Sequence, residues 1–311
     1  MFRRLARAAR LAFTMPWTLA SHGDVLRDLR TLTSRLADSE SAVDGTLASH
    51  GDVLRGLRTL MSRLADSESA VYSRTLMSVA TIAGELYFYN YARNNAANEG
   101  PMLIRELIEA NEKHTGEAYD FTGIDFCDGD VVVDIGANFG LTSLYLAKKH
   151  PNIRVIAMEP VPSTYDLLVE NLRINQISNV RPVPKAVTGD GRDVTMIFSP
   201  GASLGACVIG KMERQHVEYV RHFAGARVEV VPSITLDAVF DQYGIGRCRL
   251  LKIDCEGSED EVLRASNCLE RIDHVRGELH LPKAKSDSLE AYCARFFPGG
   301  RAMFSRHVAA L

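Results

Sequence analysis

The rhythm of apolar and polar positions changes near residue 128. After Asp128-Gly129-Asp130, the runs Val131 to Asp134, Arg154 to Met158, Val180 to Pro184, Val194 to Phe198, Leu250 to Asp254 and His274 to Leu279 have the length and branched content of strands. Between several of them, Leu141 to Lys149, Tyr165 to Ile174 and Glu259 to Ala265 carry helical spacing. Strands apolar on both faces and separated by helices predict an α/β fold, a mostly parallel sheet with helices on both faces. Near the end, Ser286 to Phe297 predicts a helix, Pro298-Gly299-Gly300 a turn and Arg301 to Ala310 one strand, a short C-terminal edge.

Upstream the periodicity is helical. Residues 19 to 46 recur almost unchanged as residues 47 to 74, a period of 28 that keeps four heptads in phase. Leu29, Leu36, Val43, Leu57, Leu64 and Val71 share one heptad position, while Val25, Leu32, Val53 and Leu60 share another. Ser21 to Asp24 and Ser49 to Asp52 read as helix starts, and Gly23 and Gly51 weaken the seam by about 1 kcal/mol each. The pattern predicts an α-helical N-terminal arm that can form a coiled coil for self-association, or else a solvated spacer. The spacing of Leu86, Phe88, Tyr91, Met102, Leu103, Leu107 and Ile108 predicts further helices over 79–112.

Ahead of the repeat, Arg3, Arg4, Arg7 and Arg10 alternate with Phe2, Leu5, Leu11 and Phe13. This basic amphipathic segment can touch an anionic membrane surface, serve as a transit peptide, or be a frayed helical terminus. Three regions result: 1–18, the arm over 19–78, and the α/β domain over 79–311.

A net charge of −3, with 24% charged residues, provides no basic face for nucleic acid, which is set aside as a partner. Six cysteines without a C-x-x-C pair suggest neither a disulfide framework nor a zinc site. The apolar stretch Leu11 to Ala20 is short and interrupted by Pro16, so no transmembrane span is expected. A cytoplasmic protein, or one peripheral at a membrane, follows.

Parallel strands leave ligands at their carboxyl ends. Val131-Val132-Val133 runs into Asp134-Ile135-Gly136-Ala137-Asn138-Phe139-Gly140, where Gly136 lets the backbone pass a ligand and Gly140 lets helix and strand pack closely. The turn is G-x-x-x-G and lacks the G-x-G-x-x-G of a pyrophosphate site. S-adenosylmethionine carries an ammonium and a sulfonium and no phosphate, which suits an acid at Asp134. Twenty-five residues on, Glu159-Pro160 ends the second strand, where a carboxylate can accept both ribose hydroxyls. Lys185-Ala186-Val187 follows the third strand, where an adenine edge is expected. The candidate cofactor residues are Asp134, Gly136, Ala137, Asn138, Gly140, Glu159, Pro160 and Ala186.

The stretch LLKIDCEGSE (Leu250 to Glu259), the DIGANFG turn, Glu159-Pro160, Thr235-Leu236-Asp237 and Glu278-Leu279-His280 together resemble the FkbM family of methyltransferases over roughly Tyr87 to His280. Cys255 and Ser258 stand where that family often has valine and alanine. The resemblance implies a Rossmann-like fold, S-adenosylmethionine as donor, and a hydroxyl on a sugar, polyketide or similar metabolite as acceptor. Transfer to oxygen needs a group that takes the hydroxyl proton. Asp254, Glu256, Glu278 and His280 end the fourth and fifth strands and are the candidate catalytic residues, with His280 titrating near neutrality as the base. The same acids can bind Mg²⁺ or hydrogen-bond a polyhydroxylated small molecule or glycan. Asp254 and Glu256 can also cap the next helix or hold its loop, and Asp237 can anchor backbone. The loop over 200–205 is expected near the acceptor mouth. Two other readings remain: a nucleotide-cofactor oxidoreductase, and an inactive methyltransferase-fold scaffold that assembles through its arm.

Overall fold

The computed structural model describes residues 75–82, 85–92, 111, 119–199, 202–211, 214–222 and 225–306. The basic segment over 1–18 and the duplication over 19–74 lie outside the described residues. In chain order the elements are β1 (Thr75–Ile82), β2 (Glu85–Ala92), β3 (Val131–Ile135), α1 (Leu141–Lys149), β4 (Arg154–Met158), α2 (Pro162–Ile174), β5 (Val180–Val183) and β6 (Ala186–Val187). There follow β7 (Val194–Ser199), β8 (Ala202–Val208), α3 (Arg214–Arg221), β9 (Arg227–Val231), β10 (Ser233–Ile234) and α4 (Leu236–Gln242). The last are β11 (Cys248–Ile253), α5 (Glu259–Ala265), β12 (Ile272–Leu279), α6 (Lys283–Cys293) and β13 (Ala302–Arg306).

Six strands form the main sheet in the order β13-β12-β11-β3-β4-β5. Every neighbouring pair in it is parallel. The strand order reverses between β3 and β11, as in the doubly wound Rossmann arrangement. Because side chains alternate between faces along a strand, Val131, Val133 and Ile135 pack on one side with Leu251, Ile253, Val262 and Leu289. Val132 packs on the other side with Val155, Leu250, Leu144 and Leu168. Both faces are buried, which accounts for the continuous apolar runs in the sequence. The expected C-terminal helix and strand are α6 and β13, and β13 lies parallel to β12.

Three expectations are corrected. Where helices are expected over 79–112, β1 and β2 pair as an antiparallel hairpin that runs across residue 78. The run Tyr87-Phe88-Tyr89 and the branched residues of Thr75–Ile82 favour a pleated surface, and Leu86, Phe88 and Tyr91 satisfy a helical count only by coincidence. Second, β7 belongs to a separate antiparallel sheet of order β8-β7-β9. A parallel crossover takes a dozen or more residues, and the short interval between Val183 and Val194 holds no helix. Third, positions 202–205, expected in a loop, lie in β8, whose small residues give little strand signal. Among the described residues no helix is long and apolar enough to cross a membrane.

Candidate active site

The reversal between β3 and β11 opens a crevice at the carboxyl ends of the strands. A cavity enclosing about 690 Å³, its open mouth included, occupies this crevice. Gly136, Asn138, Glu159 and Pro160 line it from the ends of β3 and β4, and Lys185 and Ala186 from the link between β5 and β6 and the start of β6. Met196 and Val208 of the small sheet form an apolar wall, and Asp254, Glu256 and Ser258 come from the loop after β11. That size and mixture suit a small organic ligand.

The turn after β3 is held at almost every polar group. Gly136 and Ala137 both donate their backbone N–H to the Met158 carbonyl, at 3.1 and 2.9 Å. Asn138, at φ 52°, donates its N–H to Glu159 Oε2 at 2.9 Å, and Val161 donates to Oε1 at 2.9 Å. Burial pushes the Glu159 carboxyl up to about 7 against those two hydrogen bonds. Each carboxylate oxygen has a second lone pair, so the pair can still accept from a vicinal diol.

Four of the expected cofactor residues need a revised role or reason. Asp134 is fully buried and absent from the cavity wall. It accepts from Ser143 Oγ at 2.7 Å and lies 3.4 Å from the Lys252 ammonium, so the cation it was expected to meet belongs to the protein. Ala137 packs into the core beside α1. Gly140, at φ 92°, has no room for a Cβ because Leu168 Cδ1 would lie 2.5 Å away, so it admits α2 and leaves the cavity to others. At Gly136, φ 73°, a Cβ would sit 1.8 Å from the Asp254 carbonyl oxygen, so this glycine lets two strand-end loops touch. Gly136, Asn138, Glu159, Pro160 and Ala186 do line the cavity.

At the other end the structure brings Asp254, Glu256, Glu278 and His280 together. His280 Nε2 lies 3.6 Å from Glu256 and 4.0 Å from Glu278, and its Nδ1 lies 3.8 Å from Asp254 and 3.4 Å from Glu259. Burial would lower the imidazole pKa, but the hydrogen bond to Glu259 and the charges of Glu256 and Asp254 outweigh it and push it up to about 10. The ring is therefore an imidazolium at neutral pH, which corrects its expected role as base. Burial raises Glu256 to about 7 in spite of His280. For Asp254 burial also favours the neutral form, yet Lys252, His280 and Tyr119 prevail and hold it below the ordinary carboxylate range.

Asp254 and Glu256 do not cap α5. Glu259, fully buried, accepts from the backbone N–H groups of Cys255 and Gly257 at 3.1 Å each and so shapes the loop. Glu256 is at φ 54°, a strained conformation for a residue with a Cβ, and it lines the cavity. Ser258 Oγ is buried at the cavity wall without a hydrogen-bond partner among the described residues. Asp237 anchors backbone, accepting from the N–H groups of Asn267 and Cys268, while Thr235 caps α4. Asp254, Glu278 and His280 can bring one ligand atom each within 4.8 Å of one another. An ion there would have to displace the His280 proton, since only neutral imidazole ligates a metal.

Sequence reasoning missed Tyr119, Lys252 and Glu259. Tyr119 donates its hydroxyl to Asp254 Oδ2 at 2.7 Å, and Lys252 Nζ donates to the Gly136 carbonyl at 2.7 Å. A lysine inside the apolar run Leu250-Leu251-Lys252-Ile253 does signal a buried partner. Tyr119 carries no comparable signal.

The sequence model of the methyltransferase FkbM domain matches residues 134–297. Methyltransferase sdnD of Sordaria araneosa is 30% identical over 185 residues, covering 53% of this chain and 68% of that protein. The 31-O-demethyl-FK506 methyltransferase FkbM of Streptomyces tacrolimicus is 28% identical, with 59% of this chain and 76% of that protein covered. The hexuronic acid methyltransferase AglP of Haloferax volcanii is 26% identical, with 49% and 57% covered.

Proposed function

Since the chain belongs to the family of methyltransferases with an FkbM domain, we propose that it transfers a methyl group from S-adenosylmethionine to a hydroxyl of a sugar, glycan or secondary metabolite. The observation that carries this reading is one cavity with a carboxylate raised to about 7 at each end, the buried Glu159 beside the glycine turn and the half-buried Glu256 in the loop after β11.

The residues at the first end fit the donor. Glu159 would accept the ribose hydroxyls, the turn from Gly136 to Asn138 would form the floor, and Lys185 after β5 and Ala186 of β6 complete that end of the wall. When bound, S-adenosylmethionine supplies a methyl group already activated by its sulfonium. The protein's task is then to align the acceptor and take its proton. Glu256 takes that proton, because a carboxylate near 7 is both partly ionised and basic enough at neutral pH. Asp254, held ionised, accepts hydrogen bonds from acceptor hydroxyls with Glu278 beside it, and the His280 imidazolium keeps the clustered acids from repelling one another. The acceptor class is carried over from two relatives, one named for 31-O-demethyl-FK506 and one for hexuronic acid.

Incubating the full chain with methyl-tritiated S-adenosylmethionine and a fractionated metabolite extract tests the reading. The expected result is tritium in a product about 14 Da heavier than its precursor, with the label retained after mild base. Label that never leaves the donor in any fraction contradicts it.

A further inference from the structure

We propose that Lys252 is a positioning residue that joins the cofactor turn to the acceptor-side carboxylate Asp254, with Tyr119 completing the hold on that carboxylate. The proposal rests on the methyltransferase reading above. It adds a link between the two ends of the cavity.

Lys252 is 3% exposed and sits in register with Asp134 on β3 and Arg276 on β12. These three buried side chains form a charged rung across the middle of the sheet. One step back, Leu251 stands in register with Val133 and Val275, and that rung is wholly apolar. Packing alone therefore has an apolar solution at this depth, and a buried ion pair is seldom more stable than one. The charged rung needs another reason, and its contacts provide it.

Lys252 Nζ donates to the carbonyl oxygen of Gly136 at 2.7 Å, and lies 3.4 Å from Asp134 Oδ1 and 3.6 Å from Asp254 Oδ2. One ammonium thus touches the glycine turn, the acid beneath it and the acid at the acceptor end. Its hydrogen bonds go to the turn's backbone, with the Ile135 carbonyl a second acceptor at 3.4 Å, while both acids lie within ion-pair distance of the same charge. A movement of the turn is felt at Asp254 through a single rigid group. Asp254 Oδ2 also accepts from the Tyr119 hydroxyl, whose ring lies 5.8 Å from Nζ. Tyr119 is held from two sides: Asn111 Nδ2 donates to its carbonyl at 2.9 Å, and Arg276 Nε donates to the Asp120 carbonyl at 2.8 Å. Arg276 belongs to the same rung as Lys252, so the segment that supplies Tyr119 is fixed by the rung it completes.

Calorimetric titration of the full chain with S-adenosylhomocysteine tests this. Folded Lys252→Met is expected to bind at least tenfold more weakly than the wild type, while Lys252→Arg, which keeps the charge and donors, stays within about threefold. A purely structural lysine would lower the melting temperature of Lys252→Met and leave the affinity of the folded fraction unchanged. Affinity of Lys252→Met within twofold of wild type, or no recovery with Lys252→Arg, overturns the proposal. If Lys252→Met does not fold, the double variant Asp134→Asn with Lys252→Met restores charge balance and is expected to show the same loss. Tyr119→Phe deletes one oxygen and is expected to weaken binding at least threefold, with wild-type affinity counting against the link. Wild-type protein that fails to bind S-adenosylhomocysteine overturns the methyltransferase reading itself, and the proposal falls with it.

Discussion

Glu256→Gln should lower turnover by about 10²–10⁴-fold while the protein stays folded and keeps its cofactor affinity, the usual contribution of a general base. The isosteric amide preserves the side chain's shape and removes only its ability to take a proton. With saturating S-adenosylmethionine, wild-type kcat should rise with pH through about 7, as Glu256 ionises, and fall near 10, as His280 loses its proton. In the variant the rise near 7 should vanish. Tritium transfer across pH 5 to 11 measures both limbs. A variant that keeps wild-type kcat and the same rise near 7 would move the proton transfer to another group.

The same shifts set the sign of the pH dependence of stability. Glu256 ordinarily titrates at 4.5 and in the fold at about 7, so the folded chain holds this proton more tightly. Its contribution is fully present below 4.5 and lost as pH rises through about 7. Glu159 behaves alike, and His280, raised from 6.5 to about 10, loses its contribution over that higher window. Stability should therefore fall as the solution is made basic. Urea denaturation should show a shallower decline between pH 4.5 and 7 in Glu256→Gln.

Gly136→Ala should be the most damaging single methyl group in the site. Its φ of 73° costs an L-residue about 1–3 kcal/mol. In addition, the new Cβ would meet backbone, with the Asp254 carbonyl oxygen 1.8 Å away and its carbon 2.9 Å away. Backbone cannot rotate aside as a side chain can. Either the turn or the loop after β11 must shift, and that contact is where the two ends of the cavity join. Binding of S-adenosylhomocysteine should drop at least tenfold. Gly140→Ala makes the useful contrast, since its Cβ would meet the buried side chain of Leu168, outside the cavity, rather than backbone. Equal affinities for wild type and Gly136→Ala would show that the contact does not matter to the cofactor.

What could be read from the sequence follows from how local each signal is. The turn from Asp134 to Gly140 and the acid at 159 lie on successive strand ends, so strand spacing alone places both. The parallel core was legible because strands buried on both faces leave long apolar runs. The hairpin of β1 and β2 was not, because its aromatic residues fit a period of two and a helical period at once. Asp254, Glu256 and Glu259 all stand in one short motif, but which of them faces the cavity depends on the backbone reversal at Glu256 and Gly257, at φ 54° and 97°. Glycine at 257 announces its own half of that reversal, but a glutamate at 256 does not announce the other. Tyr119 reaches Asp254 across 135 positions of chain, and only the assembled sheet, with Arg276 gripping the segment, brings them together.

The crevice between β3 and β11 is the proposed seat of S-adenosylmethionine. Calorimetry of the folded full chain with S-adenosylhomocysteine tests it most directly. One site of micromolar affinity, weakened at least tenfold in Gly136→Ala, is the predicted result. An absence of binding heat at millimolar S-adenosylhomocysteine, from protein with a cooperative melting transition, would contradict it.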